Sequence, residues 1–295
     1  MPDEAILRAR AEIVRAIRAF FDAQGFIEVE TPVRIAAPAP EEHIDCPPCV
    51  DGGFLRASPE LQMKKLLASG MDRLYQIGPC FREGEKGSRH NPEFTMIEWY
   101  RREATYHDIM DDLRRLLIEL ASFGRHLEIG GVTQLRVRDA YRSFAGWDPW
   151  SGDWDQDRFD FDMATKIEPS LKEMGGVFLM DYPPEVASLA RLSSAVDAAT
   201  GATYRVAERW EFYWNGLELA NCFSELCDGD EQRVRFAKAK SARRELGEAD
   251  YPLDEAFLVA VPRMGRAAGV ALGVDRLVMV LTGARSISDV RVTEG

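Results

Sequence analysis

The chain has 295 residues, 46% hydrophobic and 29% charged, with 23 glycines and 15 prolines. This is the balance of an ordinary folded protein, long enough for one large domain or two small ones, with no low-complexity tract and no internal repeat. The net charge of −12 argues against a stable nucleic-acid partner, and an acidic start with no membrane-length apolar run predicts a cytoplasmic chain with no membrane partner.

Residues 4–24 read as an amphipathic helix: Ile6, Ile13, Ile17, Phe20 and Phe21 share a face, and Gly25 ends it. A short strand, 26–30, is closed by Thr31-Pro32, and 36–53 is a Pro- and Gly-rich loop. Cys46-Pro-Pro-Cys49 in that loop, with His43 nearby, has the spacing of half a zinc site, but no second half completes it. The five cysteines are an odd number and argue against a disulfide framework.

Ser58-Pro59-Glu60 opens a second helix that ends at Gly70. Two strand-like runs follow, 74–82 and 93–101, joined by the charged loop 83–92. In the second run Phe94, Met96, Glu98 and Tyr100 face one way, and Thr95, Ile97 and Trp99 the other. Thr105 and Asp108 cap a helix carrying Ile109, Leu113, Leu116 and Leu120. Residues 145–175 show no clear period and read as a variable insertion. An apolar strand covers 177–182, and Asn215-Gly216 predicts a hairpin between 204–214 and the run from Leu217. A charged helix, 228–246, and a Gly-containing strand running into an apolar helix, 269–281, complete an α+β domain.

Three segments carry chemistry: Arg82 with Arg89-His90-Asn91-Pro92-Glu93-Phe94-Thr95-Met96-Ile97-Glu98-Trp99-Tyr100, then Glu218-Leu219-Ala220-Asn221-Cys222-Phe223-Ser224-Glu225-Leu226, then Gly269-Val270-Ala271-Leu272-Gly273-Val274-Asp275-Arg276-Leu277. Arg82 offers a donor fork to a carboxylate or phosphate, and Glu98 and Tyr100 accept from an ammonium group. Phe94 presents a flat face for a base, and Arg276 starts a helix behind glycines, a natural phosphate position. Glu218 with a second acid would hold Mg²⁺. Glu98 on the apolar-bearing face of a strand is expensive unless paired. By contrast, Trp210, Phe212 and Trp214 on one strand face read as packing.

In this order the segments resemble the three motifs of class II aminoacyl-tRNA synthetases. Helix 4–24 with Glu30-Thr31-Pro32 is similar to motif 1, the Arg82 hairpin to motif 2 and Gly273-Val274-Asp275-Arg276-Leu277 to motif 3. The wording around His90 and Phe223-Ser224-Glu225-Leu226 resembles the lysyl branch. The start at motif 1, which leaves no room for an upstream anticodon-binding domain, and Ala271 in place of Gly resemble a tRNA-independent branch that attaches β-lysine to elongation factor P. Arg89 before His90 keeps a lysyl-tRNA synthetase-like enzyme charging tRNA as the alternative. Outside the class, the alternative is a pseudoenzyme that binds lysine or nucleotide without chemistry.

The resemblance implies one catalytic domain over 1–295, a six-stranded antiparallel sheet flanked by helices, and a homodimer through the motif 1 helix. It implies ATP and Mg²⁺ as cofactors. Arg82 would bridge the amino-acid carboxylate and the α-phosphate; Phe94 and Arg276 would sandwich adenine; His90 and Asn91 would lie near the phosphates; Glu218 would hold Mg²⁺. Ser58, Glu60, Glu98, Tyr100, Asn221, Glu225 and Ala271 would form the amino-acid pocket. The family's Arg-x-Glu is here Arg82-Glu83-Gly84, so Glu83 or Glu85 must serve in its place. Glu218 and Asn221 have opposite strand parity, which requires a bulge between them if both face the site.

Overall fold

A computed structural model describes residues 2–124 and 131–292. Helix α1 (Glu4–Ala23) starts on Asp3, whose carboxylate accepts from the Ala5 amide at 2.7 Å, and Gly25 follows it with φ 74°. Strand β1 (Ile27–Glu28) leads to the small hairpin β2 (Arg34–Ile35) and β3 (Phe54–Leu55), separated by the long loop 36–53. Then come α2 (Glu60–Ala68) and the hairpin β4 (Arg73–Phe81) and β5 (Glu93–Arg102). A reciprocal capping box of Thr105 and Asp108 opens α3 (Tyr106–Leu120). Next are β6 (Thr133–Arg136), the helices α4 (Val137–Ala140), α5 (Gln156–Asp162) and α6 (Glu168–Leu171), and the strands β7 (Gly176–Tyr182), β8 (Leu192–Val196), β9 (Thr203–Trp214) and β10 (Leu217–Ser224). The chain ends with α7 (Gly229–Glu245), α8 (Glu255–Ala260), β11 (Ala267–Gly273), α9 (Val274–Thr282) and α10 (Ile287–Val290).

The main sheet has nine strands in the order β1-β4-β5-β11-β10-β9-β7-β6, with β8 beside β9. From β4 to β7 every neighbouring pair is antiparallel, which gives the six-stranded antiparallel sheet expected. Strands β1 and β6 extend it with parallel pairs at its edges. The β9–β10 turn has φ 48° at Asn215 and 72° at Gly216, the positive pair that a tight hairpin of this kind needs.

One face of the sheet carries α1, α3 and α9 over a core that includes Trp99, Trp210, Phe212 and Trp214. Ile13, Ile17 and Phe21 of α1 are fully buried in that core, within the chain itself. The strand expected over 26–30 pairs only at Ile27 and Glu28.

Residues 145–175 fold into helical turns that bury Phe159, Ile167 and Leu171 on the second face of the sheet. Together with α4 they form the crossover between the parallel strands β6 and β7. The segment shows no helical period in sequence because its helices are short and a π turn at Met163–Ile167 shifts the phase of the side chains between them. Among the described residues no helix is long and apolar enough to cross a membrane.

Candidate active site

A cavity of about 440 Å³ opens above the middle strands, floored by β5, β10 and β11. The alternation of β5 aims Phe94, Met96, Glu98 and Tyr100 into it while Ile97 and Trp99 enter the core. In β10 the register against β9 shifts between Glu218 and Ala220. That bulge lets Glu218 and Asn221 both line the cavity despite their parity. Ala271 of β11 lies opposite Glu98 on one side and Asn221 on the other, and it too lines the cavity. Gly269 is required by close approach: a Cβ there would stand 2.0 Å from Cδ1 of Tyr100.

At one end of the cavity Arg82 leaves β4 as its amide donates to the Pro92 carbonyl, closing loop 83–92. Its guanidinium lies 5.2 Å from the Phe94 ring centroid and 3.4 Å from Glu85. Its Nε is buried and has no hydrogen-bond partner among the described residues. Of the two acids after Arg82, Glu85 lines the cavity, whereas Glu83 is exposed and not part of the lining. Asn91 also lines the cavity, while its side-chain amide donates to the Glu93 carbonyl.

Arg276 reaches in from the first turn of α9. It donates to the Glu218 carbonyl at 2.9 Å, lies 3.5 Å from the Glu218 carboxylate, and contacts His90 Nε2 at 2.7 Å. Burial and the Arg276 charge push the His90 pKa down, so the ring stays neutral at physiological pH. Asp275, one residue earlier, is buried and pairs with Arg10 of α1 at 2.6 Å and with the Thr95 amide at 2.9 Å. It thereby fixes α9, and Arg276 with it, to α1 and β5.

Sequence reasoning missed Arg209 and Glu211. The parity that buries Trp210 and Phe212 sends both to the cavity face, so the signal was available. Glu211 accepts from Arg209 at 2.5 Å and from the hydroxyls of Tyr182 and Tyr213, each at 2.7 Å. Burial and Glu211 raise the Glu218 pKa to about 7. A cation between these carboxylates would relieve that burden, and they are the hard oxygen donors that Mg²⁺ takes. Among the described residues no group of three or more His, Cys, Asp or Glu side chains is placed to hold a metal, so Mg²⁺ here would draw its other oxygens from water and phosphate. Cys46, the suggested half zinc site, is buried with Ala57 and Tyr251.

The other end of the cavity is acidic. Glu98 is fully buried and accepts from Ser58 at 2.6 Å and from Tyr100 at 2.7 Å. Burial, with Glu60 nearby, raises its pKa to about 7. Lys64, also missed, is buried between Glu60, at 2.5 Å, and Glu225. Burial works against the Lys64 charge, but the two carboxylates outweigh it and hold the proton on more firmly than usual. Glu225 sits behind the cavity wall rather than on it. Burial raises its pKa to about 8, with Lys64 pulling the other way. Its Oε1 has no hydrogen-bond partner among the described residues. The spacing of Glu60 and Lys64, one helical turn apart, was the available signal.

A fork of cationic donors beside an aromatic face, two carboxylates for a metal and a buried acidic end make one cavity suited to a nucleotide and an amine-bearing acid together. The family model described as tRNA synthetases class II (D, K and N) matches residues 3–292. The chain is 38% identical to a protein of Pectobacterium atrosepticum named elongation factor P–(R)-β-lysine ligase, covering 97% of this chain and 94% of that protein. It is 36% identical to a protein of the same name from Proteus mirabilis, with the same coverage. A third of that name, from Histophilus somni, is 35% identical over 96% of this chain and 93% of its own length. With its sheet, its three motif segments and its cavity in place, this chain belongs to the class II tRNA synthetase family of the D, K and N type.

Proposed function

We propose that this chain is an ATP-dependent ligase that activates (R)-β-lysine as its adenylate and passes the β-lysyl group to a lysine ε-amine of elongation factor P. The observation that carries the reading is the polarity of this cavity. Arg82, Phe94, Arg276 and Glu218 stand at one end, and Ser58, Glu60, Glu98 and Tyr100 at the other. The relatives named for this activity match over nearly the whole chain.

In the first step a carboxylate oxygen of the amino acid attacks the α-phosphorus of ATP and pyrophosphate leaves. Arg82 holds the attacking carboxylate against the α-phosphate, and Phe94 and Arg276 take opposite faces of the adenine. Glu218 and Glu211 would hold Mg²⁺, which would supply charge neutralisation at the phosphates. His90 and Asn91 stand beside the phosphate chain. Catalysis is then positioning and charge stabilisation, with no protein nucleophile. In the second step the acceptor amine attacks the acyl carbon and AMP leaves. Glu85 is the acid in reach of the adenine amino group, since Glu83 faces solvent.

The working form is a homodimer, as the family implies. Ile13, Ile17 and Phe21 of α1 are taken up inside the chain, so the contact falls to its outward residues such as Arg8, Glu12, Arg15 and Ala19.

Ala271 tests the amino-acid assignment. Its methyl lies on the cavity floor between Glu98 and Asn221. With the carboxylate fixed on Arg82, α-lysine and β-lysine carry their first amine on different carbons and meet that floor differently. One methyl in a tight pocket is worth roughly 10–200-fold in discrimination. Ala271→Gly should therefore improve pyrophosphate exchange with α-lysine by such a factor and change β-lysine little. An unchanged ratio of the two would remove Ala271 as the selectivity element and count against β-lysine as substrate.

A further inference from the structure

Every acid lining the cavity has a partner from the chain except one. Glu60 pairs with Lys64, Glu85 with Arg82, Glu98 with two hydroxyls, Glu211 with Arg209, Glu218 with Arg276, and Asp275 with Arg10. The carboxylate of Glu41 also lines the cavity, yet it accepts no hydrogen bond and forms no ion pair among the described residues. A partly buried carboxylate with no donor is unfavourable unless a cation arrives from outside.

Glu41 is held there by a dedicated support. Loop 36–53 carries no regular structure, but Arg243, at the end of α7 and fully buried, clamps it. The Arg243 guanidinium donates to the carbonyls of Glu41 at 2.8 Å and Ile44 at 3.1 Å, and to the Asp45 carboxylate at 2.5 Å. It also donates to the Ala249 carbonyl at 3.0 Å and stacks on the Tyr251 ring at 4.4 Å. A buried guanidinium with this many fixed acceptors holds the backbone of residue 41 in one place.

The position of Glu41 along the cavity selects which amine it meets. Glu41 borders a second, small cavity with Ser58 and Glu60, and four residues on in its loop the Asp45 carbonyl accepts from the amide of Glu83, next to Arg82, at 2.8 Å. The loop that carries Glu41 thus runs from Glu60 toward the Arg82 end, whereas Glu98, bonded to Ser58 and Tyr100, lies at the deep acidic end. We infer that Glu41 is the specificity-determining contact for the ammonium group nearer the substrate carboxylate, with Arg243 as its positioning residue. This rests on the reading of the cavity as an amino-acid-activating site with the carboxylate on Arg82. Burial and Glu60 raise the Glu41 pKa, as expected of an acid waiting for a cation.

The test is pyrophosphate exchange by the full chain and its Glu41→Gln variant, which keeps the side-chain shape on a cavity wall. Four compounds are compared: β-lysine, α-lysine, ε-aminocaproate, which lacks the proximal amine, and β-aminocaproate, which lacks the terminal one. Without the charge-assisted hydrogen bond from the proximal amine, KM for β-lysine and β-aminocaproate should rise by roughly 10–100-fold. KM for ATP and exchange with ε-aminocaproate should be the same in both proteins. An unchanged KM for β-lysine, or an equal loss with ε-aminocaproate, would overturn the role of Glu41 while wild-type exchange left the underlying reading standing. No wild-type exchange with either lysine isomer would overturn that reading, and the role of Glu41 with it.

Discussion

Arg82→Ala should lower pyrophosphate exchange on the order of 10²–10³-fold or more, the usual cost of removing a donor aimed at developing charge. The fold should survive the change. Among the described residues the guanidinium makes one long contact, 3.4 Å to Glu85, and rests on the Phe94 ring, while its buried Nε has no partner. A side chain so poorly satisfied by its own protein contributes little to stability, and its removal should leave Tm within a few degrees of the wild type. Normal exchange in a folded Arg82→Ala protein would remove the active-site assignment.

Glu218→Gln should have a comparable effect for a different reason. Glu218 and Glu211 are the pair of oxygen donors available to Mg²⁺, and an amide keeps the shape but not the charge. Exchange should fall on the order of 10²-fold or more, with the residual activity needing more Mg²⁺ to saturate. The sign of the stability effect separates this from damage. A carboxyl whose folded-state pKa is raised favours the protonated form, so its ionised form weakens the fold as pH climbs past that value. Burial and Glu211 raise Glu218 to about 7, so at pH 8 the neutral glutamine should not lower Tm. A large loss of Tm together with activity would mark Glu218 as structural instead.

Much of the site was legible because its residues lie on strands, where a period of two fixes direction. Glu98 and Tyr100 follow from the apolar partners Ile97 and Trp99 on the opposite face, and the bulge at Glu218 follows from the parity of Asn221. The Asn215-Gly216 turn fixed the β9–β10 register by local chemistry alone. What escaped depends on contacts distant in sequence. Glu41 enters the cavity because Arg243, about two hundred residues away, holds its loop. Glu225, just past the end of β10, is turned from a free acid into a partner of Lys64, which nothing near it in sequence signals.

The edge strands escaped for another reason. β8 is Leu192-Ser193-Ser194-Ala195-Val196, with too few large apolar residues to stand out, and it is placed by pairing with β9. Residues 145–175 hide their short helices behind the π turn at Met163–Ile167. Local rules could not see either one.

The central claim is that an amine on a protein, not the end of a tRNA, receives the activated group. The most direct measurement incubates the purified chain with ATP, Mg²⁺ and labelled β-lysine in the presence of both elongation factor P and tRNA, and follows label into each. The account predicts label on elongation factor P, abolished when its acceptor lysine is replaced, and none above background on tRNA. Robust labelling of tRNA with elongation factor P left unlabelled would contradict it.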